Sequence, residues 1–246
     1  GGGAGTVVSF DAATGKLVVV YPTGGFQEGE TVTGPNGTGE IQSFTTIQVE
    51  SVQYDDNAVI EFKADVGIAL DGDADRTILV DENGVIVDGD KIIAIIAKFW
   101  KKNNNLYKNT VVGTVMTNKA LEDYFLEKKI NLIRTDVGDR NIIQSMKEQN
   151  LILGGEPSGH IILNNYSSTG DGILASLEVL GIMKFENKKL STLANIYTPY
   201  PQIMQNFPIK SNQETKSVIT NIKKKIEKII DKKYTRIIIR KSGTEN

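Results

Sequence analysis

A change of rhythm near residue 55 constrains this chain more than any other feature. Residues 1–53 hold 11 of the 24 glycines and a single basic residue, Lys16, against five acids, for a net charge of −4. Thr6-Val7-Val8-Ser9-Phe10 and Lys16 to Tyr21 flank Asp11-Ala12-Ala13-Thr14-Gly15 and predict a hairpin. Pro22-Thr23-Gly24-Gly25 and Gly34-Pro35-Asn36-Gly37 read as further turns, and Glu40 to Val52 as mostly strand. No helical period occurs in this stretch, and it contains no His, no Arg and no clustered carboxylates. It is expected to be a small all-β segment.

Beyond it, where the net charge is +2, strand-like and helix-like segments alternate. Val59 to Phe62, Val66 to Leu70, Thr110 to Met116, Asn131 to Arg134 and Arg236 to Arg240 read as strands. Asp88 to Lys101 places Ile92, Ile93, Ile95, Ile96, Phe99 and Trp100 at helical spacing and reads as a buried helix. Leu121 to Lys129, Arg140 to Gln149, Asp171 to Phe185 and the lysine-rich Val218 to Ile230 read as helices. Such alternation predicts α/β layers.

At 246 residues, 39% hydrophobic and 24% charged, the composition is that of a globular protein. A net charge of −2 gives no electrostatic case for nucleic acid or a membrane surface. The absence of cysteine removes disulfides and thiolate chemistry. No apolar run approaches the ~20 residues needed to span a bilayer, and Gly1 to Gly5 lacks the regions of a signal peptide. A cytoplasmic protein is expected.

Asp71-Gly72-Asp73-Ala74-Asp75-Arg76 carries three carboxylates at alternate positions, delivered by the apolar run Ala64 to Leu70. If the loop curls, the three converge on one point suited to Mg²⁺, a hard cation that takes oxygen ligands at roughly 2.0–2.1 Å. Arg76 can neutralise part of the charge or meet a phosphate. Two other readings stand beside this one. A solvated acidic turn is the first. An EF-hand calcium loop is the second, with Asp71, Asp73, Asp75 and Glu82 in register but Arg76 where that loop needs glycine.

Two more motifs follow. Gly154-Gly155-Glu156-Pro157-Ser158-Gly159-His160 is a glycine-rich turn between apolar stretches, and His160 is the only histidine. Glu156 offers two acceptors for paired sugar hydroxyls, and Ser158 both donates and accepts; the alternative is a turn that satisfies only its own backbone. Ile237-Ile238-Ile239 leads into Arg240-Lys241-Ser242-Gly243-Thr244. Amides of a Ser-Gly-Thr turn, two hydroxyls and a guanidinium can cradle a phosphate.

In order, these motifs resemble the α-D-phosphohexomutase family, from about Asp56 to Asn246. The resemblance includes Lys63 to Leu70, Val87-Asp88-Gly89-Asp90, Val111 to Asn118, Arg134-Thr135-Asp136-Val137-Gly138-Asp139-Arg140, Ser168-Thr169-Gly170-Asp171-Gly172 and Pro199-Tyr200-Pro201-Gln202. Val137-Gly138-Asp139-Arg140 and the Thr-Gly-Asp-Gly segment favour its glucosamine-phosphate branch. The resemblance implies an isomerase that interconverts glucosamine 6-phosphate and glucosamine 1-phosphate through a phosphoserine enzyme and a bisphosphate, on the way to cell-wall amino sugars. It implies Mg²⁺ on Asp71, Asp73 and Asp75. Substrate contacts would come from Arg76, Asp139, Arg140, Glu156, Ser158 and His160. Arg240, Ser242, Gly243 and Thr244 would hold the non-reacting phosphate.

The implied fold is α/β with mixed sheets. Its expected parts are a β-rich segment (1–55), the end of the metal-loop domain (56–88), a sugar-binding domain (89–198) and part of a C-terminal phosphate-binding domain (199–246). The family's reactive serine sits in a Ser-His-Asn-Pro context, and no serine here precedes a histidine. The chain is therefore expected to be a truncated, inactive fragment alone, with weakened Mg²⁺ binding. The pattern Phe26-Gln27-Glu28-Gly29-Glu30-Thr31-Val32-Thr33-Gly34 resembles β-rich repeats of bacteriophage tail proteins, so a non-catalytic β-rich binding module fused to a mutase remnant is the alternative. A phosphatase using the Asp loop as nucleophile is a third.

Overall fold

The computed structural model describes residues 6–11, 16–20, 31–34, 37–40 and 56–202, with residues 220, 236 and 238 as single positions. The chain divides into two units, Gly1–Thr198 and Pro199–Asn246. Apart from those single positions, the expected helix Val218 to Ile230 and strand Arg236 to Arg240 lie outside the described residues. Arg240, Ser242, Gly243 and Thr244 lie outside them too.

The first unit begins with two hairpins. β1 (Thr6–Asp11) pairs antiparallel with β2 (Lys16–Val20), closing at Asp11 opposite Lys16 as the sequence predicts. β3 (Thr31–Gly34) pairs with β4 (Gly37–Glu40), closing at Gly34 opposite Gly37. The remainder of the expected strand to Val52 lies outside the described residues.

The expected strand at Val59 to Phe62 is instead a short helix, α1 (Asp56–Glu61). Its β-branched run suggested a strand, but Ala58 and Val59 are buried while Ile60 and Phe62 stay exposed. Two bonds close it in a Schellman pattern, Lys63 N–H to Ile60 O and Ala64 N–H to Val59 O, with Lys63 left-handed at φ 51°. β5 (Val66–Leu70), β6 (Thr77–Asp81) and β7 (Ile86–Val87) then form an antiparallel meander. The carboxylate loop is the tip of the β5–β6 hairpin. Strands on both sides, rather than helices, remove the EF-hand reading; Glu82, its twelfth position, accepts instead from the Ser191 hydroxyl and amide at 2.5 and 3.3 Å.

The next layer is an α/β/α sandwich. β8 (Thr110–Thr114), β9 (Asn131–Thr135), β10 (Leu153–Gly155) and β11 (Ile161–Leu163) form a sheet in the order β11-β10-β8-β9, parallel except for β10–β11. Its side chains alternate between two cores, as the two-residue strand period requires. Val111, Leu153, Ile161 and Leu163 join the larger core with α2 (Gly89–Lys102), α3 (Lys119–Glu127) and α5 (Gly172–Glu186). Val112 and Ile162 meet Ile142 and Met146 of α4 (Asp139–Gln149) on the other face. A short helix, α6 (Leu190–Ala194), completes the unit.

α2 is the centre of the larger core. Asp88 caps it by accepting from the Lys91 amide at 2.9 Å, and Ile92, Ile93, Ile95 and Ile96 are at most 2% exposed. Trp100 Nε1 donates to Glu178 of α5 at 2.6 Å, which ties the two helices where they cross. Asn118 and Asp171 cap α3 and α5 in the same way as Asp88.

Candidate metal and substrate site

The tip of the β5–β6 hairpin folds around Asp71. Its backbone carbonyl accepts from the Ala74 amide at 3.1 Å, and its Oδ1 accepts from the Arg76 amide at 3.1 Å. Ala74 takes a left-handed conformation, φ 59°, which turns the chain so that all three aspartates converge. One carboxylate oxygen from each of Asp71, Asp73 and Asp75 lies within 4.8 Å of the others. Arg76 Nε stands 3.6 Å from Asp71 and 3.8 Å from Asp75, with its side chain half exposed.

Crowding leaves a mark on Asp75. Burial first, then the hydrogen bond and charge of Asp71, and then Asp73, raise its carboxyl above the ordinary value; His160 opposes them. Arg76 therefore leaves the cluster short of positive charge. Three hard oxygen donors around one point, with Asp73 open to solvent, suit a divalent cation that keeps part of its shell for water or a phosphate. The residues present fit such an ion.

The Glu156 to His160 turn joins β10 to β11 and closes on itself. Glu156 N–H donates to His160 O, and Gly159 N–H to Glu156 O, each at 3.0 Å. It also docks on the aspartate hairpin: Thr77 N–H donates to Gly159 O at 3.0 Å, and Arg76 pairs with His160 as an isolated antiparallel bridge. Gly159 adopts φ 93°, and a Cβ there would collide with Thr77 O, so both conformation and contact require glycine. The start of α5 closes the other side, through Gly172 N–H to Ala74 O at 2.8 Å and the buried hydroxyl pair Thr77–Ser176 at 2.9 Å.

Glu156 is partly buried and Ser158 exposed. Gly138, the residue before α4, donates its amide to Glu156 Oε1 at 3.2 Å. That bond brings the first turn of α4, with exposed Asp139 and Arg140, next to the Glu156 turn. Asp139 accepts from the Arg140 amide at 2.7 Å. His160, expected among the substrate contacts, is 3% exposed and directs Nδ1 at Asp75 Oδ2, 3.1 Å away.

The structure thus brings together Asp71, Asp73, Asp75, Arg76, Glu156, Ser158, His160 and the Asp139–Arg140 turn. Sequence reading missed the anchors, Thr77, Ser176 and the Gly138 amide. Gly138 lies in a motif the sequence did show, but its bond to Glu156 is not marked there, nor is the pairing of Thr77 with Ser176, because each acts on a residue distant along the chain. Among the described residues no helix is long and apolar enough to cross a membrane.

Comparison with known proteins agrees with this architecture. The family described as phosphoglucomutase/phosphomannomutase, alpha/beta/alpha domain III, matches residues 88–200. Phosphoglucosamine mutase of Zymomonas mobilis is 43% identical over 96% of this chain and 53% of its own length. That of Campylobacter curvus is 39% identical over 97% of this chain and 53% of its own. Both alignments run into the β-rich segment that the sequence reading set apart. The chain spans about half the length of these relatives. Among solved structures, a phosphoglucomutase/phosphomannomutase family protein of Burkholderia thailandensis superposes on 63% of this chain and 38% of its own, with a TM-score of 0.53 and 18% identity. An N-acetylphosphoglucosamine mutase of Aspergillus fumigatus, in complex with glucose 1,6-bisphosphate, covers 76% of this chain and 49% of its own, with a TM-score of 0.51 and 17% identity. At these identities the structural likeness bears on the fold.

Proposed function

We propose that this chain belongs to the α-D-phosphohexomutase family and carries the cation and sugar sites of a phosphoglucosamine mutase, acting on glucosamine 6-phosphate and glucosamine 1-phosphate. Asp71, Asp73 and Asp75 hold Mg²⁺, whose chemistry when bound is to neutralise charge on a transferring phosphoryl group. Glu156 accepts from sugar hydroxyls; the Gly138 amide holds Oε1 and leaves the second oxygen to the sugar. Ser158, exposed beside it, donates or accepts a further bond. Arg76 supplies positive charge toward the phosphate, and Asp139 and Arg140 line the sugar site. Arg240, Ser242, Gly243 and Thr244 hold the non-reacting phosphate. Division of labour between positioning and charge neutralisation suits phosphoryl transfer, which asks little covalent chemistry of most of the protein.

One observation carries this reading: the hairpin that brings the three aspartates together is joined by backbone pairing to the Glu156 turn, which supports a cation beside a sugar-binding edge. Calorimetric titration of the purified chain with glucosamine 6-phosphate, with and without Mg²⁺, tests it. Binding that needs Mg²⁺ and weakens at least about tenfold in Glu156→Ala is expected, since a charged hydrogen bond contributes about 1.5–3 kcal/mol. No binding by the unaltered chain would sink the reading. A coupled assay on this sequence alone should give no mutase turnover, for want of a Ser-His pair. The rival, a β-rich binding module with a passive remainder, has the hairpins β1–β2 and β3–β4 in its favour. The span of the alignments with the two mutases weighs against it.

A further inference from the structure

We propose that His160 positions the cation rather than gripping the sugar: its Nδ1–H orients the Asp75 carboxylate, and Gly170 exists to admit its ring. This rests on the reading of Asp71, Asp73 and Asp75 as a cation site. Four observations meet at the imidazole. His160 is 3% exposed, so a sugar arriving from solvent has almost no ring surface to touch. Its Nδ1 lies 3.1 Å from Asp75 Oδ2. Its Nε2 is buried and has no hydrogen-bond partner among the described residues. A Cβ on Gly170 would collide with Cε1 and stand 2.5 Å from Nε2 and 2.6 Å from Nδ1, so the chain over the ring has room for hydrogen only.

These observations fix the tautomer by argument. A carboxylate oxygen beside Nδ1 calls for the proton there. Nε2 then keeps only a lone pair, and an unpaired acceptor costs less than a buried N–H with nowhere to donate. His160 is thus a fixed donor aimed at one oxygen of one carboxylate. Holding Oδ2 fixes the orientation of the carboxylate that shares a point with Asp71 and Asp73. Outer partners of this kind set a metal site's affinity, at about 10–100-fold each. The donor is mounted on the sugar turn, since the Arg76–His160 bridge and the Thr77–Gly159 bond fasten that turn to the hairpin. The cation site therefore borrows its geometry from the substrate turn.

The test is Mn²⁺ binding, with Mn²⁺ as a paramagnetic substitute for Mg²⁺ read from the spin-resonance signal of the free ion. The proteins are the purified chain and three variants, with metal-free melting followed in parallel. His160→Leu keeps bulk and removes the donor; it should bind Mn²⁺ at least about tenfold more weakly. His160→Asn places an amide N–H near the position of Nδ1 and should stay within about threefold of the unaltered chain, well inside the usual effect of a lost outer partner. Gly170→Ala keeps the histidine but drives its ring away, and should weaken Mn²⁺ as His160→Leu does. Unchanged binding in His160→Leu overturns the proposal, as does His160→Asn binding as weakly as His160→Leu. If His160→Leu fails to fold, the other two decide: retention in His160→Asn with loss in Gly170→Ala supports it, and any other pattern overturns it. No Mn²⁺ binding by the unaltered chain removes the cation reading itself, and this inference with it.

Discussion

Asp75 shows how much of the site lives in single residues. Its carboxyl stands above the ordinary value because burial, Asp71 and Asp73 all disfavour its charge, against the pull of His160. A folded-state pKa raised above the unfolded one favours folding at low pH, and that contribution is lost as pH rises through the raised value. Cation binding runs the other way, because it needs the charged form. Mg²⁺ should therefore raise the melting temperature more at about pH 7 than at about pH 4, close to the intrinsic carboxylate range. Differential scanning fluorimetry at both values checks this; an equal shift would contradict it. Asp73 is the solvent-facing member, so Asp73→Asn should remove repulsion without breaking a fold contact. It should raise metal-free stability by at most about 1 kcal/mol while weakening the Mg²⁺ response. Alternate aspartates separated by small residues announced in the sequence the carboxylate cluster that the fold draws together. The histidine behind them did not, because 85 residues separate His160 from Asp75.

Elements were legible where their pattern is long and one-sided. α2 offers apolar residues at helical spacing over four turns, and the helix forms within a residue of the expected bounds. β5 is an apolar run that ends at the aspartates. Pattern failed where elements are short. α1 has six residues with a β-branched centre, so propensity pointed to a strand, while its closing bonds and two buried side chains made it a helix. β7 has two residues, too few to show any period. Energetics follow the same division. Ile96 of α2 is fully buried in the larger core, so Ile96→Ala should cost about 2–5 kcal/mol. Urea denaturation followed by circular dichroism should show the midpoint falling with little change in slope. Ile60 on α1 is 53% exposed, and Ile60→Ala should move the midpoint far less.

At the scale of the whole molecule, the site is assembled from two sheets. The cation loop belongs to the β5–β6–β7 meander, and the Glu156 turn to the sheet of β8 to β11. Fold class was readable because strand and helix alternate along the sequence. The seam was not, since Thr77 and Gly159 lie far apart in the chain and nothing in either sequence neighbourhood names the other. Rigid backbone contacts between two binding edges imply energetic coupling. Mg²⁺ should tighten glucosamine 6-phosphate binding, and the sugar phosphate should tighten Mg²⁺ by the same factor, on the order of 5-fold or more. Titrations in both orders measure the two factors; independent sites would give a factor near one.

The hydrogen bond from Thr77 to Gly159 sets a rule for redesign. Exchanging the Glu156 turn for that of a relative with another sugar preference replaces the surface on which the aspartate hairpin rests. Altered selectivity and altered ion affinity would then arrive together, however conservative the exchange looks. The smallest transplantable unit is the turn with residues 71–77 and the Ser168–Gly172 crossing that encloses them.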